Sequence, residues 1–110
     1  MTYRAPVRDL IFTLKAVAGI DRVAATGGFP DYDDDLLPAV LEAAGEFSQD
    51  VLVPLNRPGD LNGAKYADGS VTAAPGFADA YRQFAAGGWT GLSAAPEHGG
   101  QGLPKALELA

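Results

Sequence analysis

The sequence predicts an all-α chain that opens with a short N-terminal helix. Two observations predict it. Apolar residues recur at the i, i+3, i+4, i+7 spacing of a helical face in successive stretches of the chain. These stretches open on proline or clustered aspartate and close on glycine or proline, as helices do.

The first stretch is Val7, Leu10, Ile11, Leu14 and Val17. Pro6 suits a first turn and disfavours helix just before it, so residues 1–6 read as an extended arm. Gly19 is a fitting C-terminal stop. A break follows, ending at Gly27-Gly28-Phe29-Pro30, and it divides an N-terminal extension, 1–29, from a body, 30–110. The body opens on Asp31, Asp33, Asp34 and Asp35, whose carboxylates suit the partial positive charge of a helix N-terminus. Leu37, Val40, Leu41, Ala44, Phe47 and Val51 then form a continuous apolar face. Pro38 is tolerable only near a first turn, so the helix starts near Asp34 or Asp35. Pro54 would kink or end it, and it is expected to reach about Asn56, before Pro58-Gly59.

Residues 58–75 read as loop, with a tight-turn signal at Asp68-Gly69 whose flanks, Lys65-Tyr66 and Val71-Thr72, could pair as a very short hairpin. Pro75-Gly76 starts a third helix carrying Phe77, Ala80, Tyr81 and Phe84 on one face, and Gly87-Gly88 ends it. Trp89 and Leu92 are expected to drop back onto the core. Pro96 to Gly102 is a glycine-rich loop, and Leu103-Pro104 begins a further helix with Leu107 one turn on. That apolar repeat is still open at Ala110, so the fold is expected to be incomplete at its C-terminus.

Composition narrows the function classes. A net charge of -6 argues against nucleic acid and against anionic membrane, because both need clustered Lys and Arg. With no cysteine, disulfide scaffolds, thiolate zinc sites and cysteine nucleophiles are excluded; the absence fits a reducing compartment, and the expectation is cytoplasmic. No apolar run approaches the roughly 18 residues of a membrane span. Arg8, Asp9 and Lys15 interrupt the N-terminal apolar residues, against a secretory signal; the helical periodicity explains that start more simply than a transit peptide does. Much of the 47% hydrophobic content is alanine, so the core must come from the larger residues and is expected to be thin.

Candidate chemistry is sparse. Asp31, Asp33, Asp35 and Glu42 fall at positions 1, 3, 5 and 12 of a calcium loop. Position 6, however, is Leu36 instead of glycine, and Pro38 interrupts the loop, so an acidic helix start is the better reading. Gly99-Gly100-Gln101-Gly102 fails both the dinucleotide fingerprint and the P-loop pattern, leaving tight-link geometry as its role. His98 is the only histidine and has no partner beyond its neighbour Glu97. Tyr81, Phe84 and Trp89 could stack on a ligand, although aromatic residues at helical spacing are more often core. No catalytic, cofactor-binding or metal residue is assigned.

The run from Gly76-Phe77-Ala78-Asp79-Ala80-Tyr81-Arg82 through Gly88-Trp89-Thr90-Gly91-Leu92 to Pro96-Glu97-His98-Gly99-Gly100-Gln101-Gly102-Leu103-Pro104 resembles the acyl-CoA dehydrogenase N-terminal domain. In that domain a helix ending in "GG" or "LG" precedes a "PE-x-GG-x-G" loop. The opening Tyr3-Arg4-Ala5-Pro6-Val7-Arg8-Asp9 and the Asp68-Gly69-Ser70-Val71-Thr72 stretch look like a subgroup with an extra N-terminal segment, which includes the 3-methylmercaptopropionyl-CoA dehydrogenases. The resemblance implies part of a helical up-and-down bundle. It also implies a homo-oligomeric FAD flavoprotein of fatty-acid-type metabolism with further middle and C-terminal domains. Such an enzyme takes an acyl-CoA substrate and passes electrons to an electron-transfer flavoprotein or another acceptor. The family's catalytic base and main flavin contacts lie outside residues 1–110. The chain alone is therefore expected to be inactive and to bind no FAD.

Overall fold

A computed structural model describes residues 3–110. It is mostly helical, with one two-stranded sheet among the described residues. Residues 3–6 are irregular, as expected of the arm, whose residues 1 and 2 lie outside the described residues. Helix α1, Val7–Phe12, passes directly into a π turn, Thr13–Val17, in which the Ala18 amide donates to the Thr13 carbonyl five residues back at 2.9 Å. The wide turn rotates the following side chains off the original stripe. Leu14 is buried, but Val17, expected on the same face, is 72% exposed.

Gly19, at φ 70°, ends this segment as read, and a short helix α2, Ile20–Ala24, fills what the sequence presents as a break. Ile20 is fully buried. A five-residue helix shows less than two turns, too little for a periodic pattern to register.

Helix α3, Leu36–Phe47, begins close to the expected position. Asp33 Oδ1 accepts from the Leu36 amide at 2.7 Å, the work of an N-terminal capping group. A second π turn, Ser48–Leu52, links α3 to α4, Val53–Asn62. It sits where Pro54 would otherwise collide with the preceding turn. The helix therefore does not stop near Asn56: it continues through Pro58 to Asn62, and residues 58–62 are helix where loop was expected. Pro54 and Pro58 both face solvent, where water can serve carbonyls that a proline nitrogen cannot. Near the end, Asn62 Nδ2 donates to the Pro58 carbonyl at 2.7 Å.

The hairpin does form. Strands β1, Lys65–Ala67, and β2, Ser70–Thr72, pair antiparallel with Tyr66 opposite Val71. Asp68 at φ 52° and Gly69 at φ 78° supply the two positive φ angles of a type I′ turn. Helix α5, Phe77–Ala86, starts after Gly76 and ends at Gly87 as read. Two single 3₁₀ turns, Trp89–Gly91 and Pro96–His98, lead to α6, Lys105–Leu109.

The core gathers Leu14, Ile20, Tyr32, Leu37, Leu41, Leu92, Leu103 and Leu107, with Trp89, Phe29 and Val40 packed around it. Its members come from 7–41 and 89–107, so residues 48–86 form an arm outside it, joined to α3 by the Phe47–Phe84 ring contact with centroids 6.0 Å apart. This organisation spreads the chain over 53 × 37 × 19 Å. The radius of gyration is 16.8 Å, against about 13 Å for a compact domain of this length. The accessible surface is 7614 Å², about a third above the roughly 5,700 Å² of a compact monomer of this mass.

Candidate functional site: a closed glycine turn and an open apolar groove

The glycine-rich turn is the first place to look for chemistry. A phosphate cradle needs free backbone N–H groups converging on one point. Here five successive amides are already used within the turn. Gly99 donates to Pro96 O, Gly100 to Ala95 O, Gln101 to Gly91 O, Gly102 to Ala94 O and Leu103 to Leu92 O, all within 2.9–3.1 Å. Gln101 Nε2 adds a bond to Gly88 O at 3.1 Å. The glycines serve geometry, as the sequence suggests. A Cβ at position 100 would lie 2.1 Å from the Ala94 carbonyl oxygen, so the backbones touch there. The residues of this turn do not fit the pyrophosphate of a flavin or nucleotide.

His98 and Glu97 are exposed and stand at the surface of this turn. The turn is fastened to α6 by Glu108, which accepts from the Ser93 amide at 3.1 Å and from the Ser93 hydroxyl, and pairs with Lys105. The Lys105 ammonium, followed by the Ser93 hydroxyl, holds the Glu108 carboxyl below the usual range.

Asp33 and Asp34 of the acidic cluster are occupied by structural work. Asp33 caps α3, and Asp34 accepts from Lys15 Nζ at 2.8 Å, with Asp21 3.5 Å from the same nitrogen. The Lys15 hydrogen bond lowers the Asp34 pKa, and the Asp34 bond raises that of Lys15. Tyr32 is buried beside these groups with no partner for its hydroxyl among the described residues; burial, then the Asp21 and Asp34 charges, push its pKa up. Among the described residues no three acidic or histidine side chains converge as a metal site would require.

The remaining candidate lies on the arm. Leu52, Leu55 and Asn56 of the π turn and α4 face Phe77, Ala80, Tyr81 and Phe84 of α5 across an open groove of about 420 Å³. Two lining residues pack on glycine: a Cβ at Gly59 would sit 2.6 Å from the Phe77 ring, and one at Gly76 would sit 2.7 Å from Leu55. Tyr81 is 65% exposed, which corrects the expectation that it joins the core. Phe84 and Trp89 are half-buried, Trp89 against the core and Phe84 against Phe47. The sequence places Tyr81 on the right helix face; that no element among the described residues covers the face is a property of the packing.

A groove of this kind can bind or pack against an apolar surface. The class of protein comes from comparison. The chain resembles the acyl-CoA dehydrogenase family over its whole length, as its glycine-turn motif suggests. Over all 110 residues it is 39% identical to a 3-methylmercaptopropionyl-CoA dehydrogenase of Ruegeria pomeroyi, and it spans 19% of that protein's length. No family model matches the chain.

Proposed function

We propose that this chain is the helical N-terminal segment of an FAD-dependent acyl-CoA dehydrogenase, an enzyme that converts an acyl-CoA thioester to its enoyl-CoA. The observation that carries the reading is identity of 39% along the full chain to a dehydrogenase about five times as long. The surplus surface and the open groove favour a segment that packs on other parts of its enzyme. In this reading residues 1–29 are the added N-terminal segment and 30–110 the helical domain. The segment supplies a wall beside the acyl and flavin region, while the flavin, the base and the contact with an electron acceptor belong to the rest of the enzyme. FAD would supply hydride acceptance there.

The test is isolation of the protein from its source with an antibody raised to this sequence. A mass several times 11.3 kDa, bound FAD and acyl-CoA-dependent dye reduction are the expected result. An 11.3 kDa product without flavin would refute the proposal and favour a second reading, a non-catalytic helical interaction module of the same ancestry.

A further inference from the structure

We infer that residues 7–24 act as an intramolecular strap that fastens Leu92, Leu103 and α6 to α3, while leaving the arm free. Three observations carry it. First, the strap is part of the core. Ile20 and Leu37 are fully buried, Leu14 is 5% exposed, and all three share one cluster with Leu92, Leu103 and Leu107 from the far end of the chain. The strap's own α1 and α2 are too short to persist alone, so their order comes from this burial.

Second, the strap is held at several points along its length. Ala5, just before it, meets α3 so closely that a Cβ on Gly45 would lie 2.9 Å from the Ala5 methyl group. Lys15 bridges Asp21 within the strap and Asp34 in the segment leading to α3. Gly19, at a positive φ of 70°, turns the chain so that Leu14 and Ile20 both point inward. Third, no residue of 48–86 belongs to the shared cluster. Loosening the strap should therefore reach residues 92–107, more than 70 positions away in sequence, before it reaches α4 or α5.

Hydrogen exchange on the 110-residue chain tests this. In Ile20→Ala, the amides of Leu103 and Leu107, which donate to Leu92 O and Pro104 O, should exchange roughly 30-fold faster. The Ala80 amide of the arm, which donates to Gly76 O, should keep its rate. Leu14→Ala, on the other side of Gly19, should give the same pattern. Ile20→Val should give a smaller version of it, and it serves if the alanine variants fail to fold. Unchanged exchange at Leu103 and Leu107 would overturn the strap. So would an equal acceleration at Ala80, because the variant would then be loosening the whole chain instead of releasing one segment.

Discussion

Replacing Gly100 by alanine should damage the chain more than replacing Gly99, although Gly99 has the backbone angle that favours glycine. Gly99 lies at φ 81°, yet a Cβ there would meet nothing within 4 Å. Its alanine variant therefore carries only the left-handed strain of about 1–2 kcal/mol. At Gly100 the new Cβ would lie 2.1 Å from Ala94 O and 2.3 Å from its carbonyl carbon. Those are backbone atoms that cannot swing aside as a side chain end can. Moving them strains the turn by about 1–3 kcal/mol and disturbs the Gly102 amide bond to Ala94 O, worth about 1 kcal/mol. The total is about 2–4 kcal/mol. At a urea slope of about 1.5–2 kcal/mol per M, a 3 kcal/mol loss lowers the midpoint by about 1.5–2 M. Urea melts of the two variants beside the parent chain read the difference directly. A Gly100→Ala midpoint equal to or above that of Gly99→Ala would refute the close-approach argument.

Three further outcomes are expected. Asp33→Ala removes the cap on the Leu36 amide and should cost about 1 kcal/mol in a urea melt, with Asp33→Asn recovering most of it. Acid should weaken the chain: Glu108 and Asp34 titrate below their usual 4.5 and 3.8, so their contribution is full above those values and is lost as pH falls through the lower folded ones. A melting temperature that holds steady from pH 7 to 5, falls below about pH 4.5, and falls less steeply in Glu108→Gln would bear this out; a flat profile to pH 3 would count against it. Tyr81→Asp should change the stability of the 110-residue chain by less than about 0.5 kcal/mol, since the side chain is largely in water. In a longer flavoprotein that covers the groove, the same change should lower the melting temperature clearly.

Regular helix is legible in this sequence wherever two or more turns repeat one apolar face. The stripes through Leu10 and Leu14, through Leu37 and Leu41, and through Ala80 and Phe84 mark α1, α3 and α5. Local propensity also places the turn at Asp68-Gly69 and the stops at Gly19 and Gly87. What escapes a periodic reading is set by contacts distant in sequence or by irregular backbone. The π turns change the period in mid-helix, which exposes Val17 and admits Pro54. Helix α2 is too short to show a period, and Pro58 is tolerated because its face is wet. In the glycine turn the local role is legible, but the need for glycine at 100 arises from Ala94, folded back against it.

The same distinction locates the part of the chain that its own packing covers least. Among the described residues, Leu52, Leu61, Tyr66, Val71, Phe77 and Tyr81 of the arm are large exposed hydrophobic side chains, beside Tyr3, Phe12, Val17, Val23 and Leu109 elsewhere. An isolated two-stranded hairpin is marginal in water, and every residue of β1 and β2 is exposed. The core, by contrast, closes on itself through Leu14, Ile20, Leu37 and Leu107. The shared core cluster therefore accounts for the order of the two ends of the chain, whereas the middle buries only Ala74 and Ala80. A surface about a third larger than a compact monomer needs is what an arm built to be covered would present. The two glycines against which Phe77 and Leu55 pack shape that arm from within. Under the proposed function, packing against the rest of a larger enzyme would account for both features at once, whereas a free-standing module would have to find a separate partner for the groove.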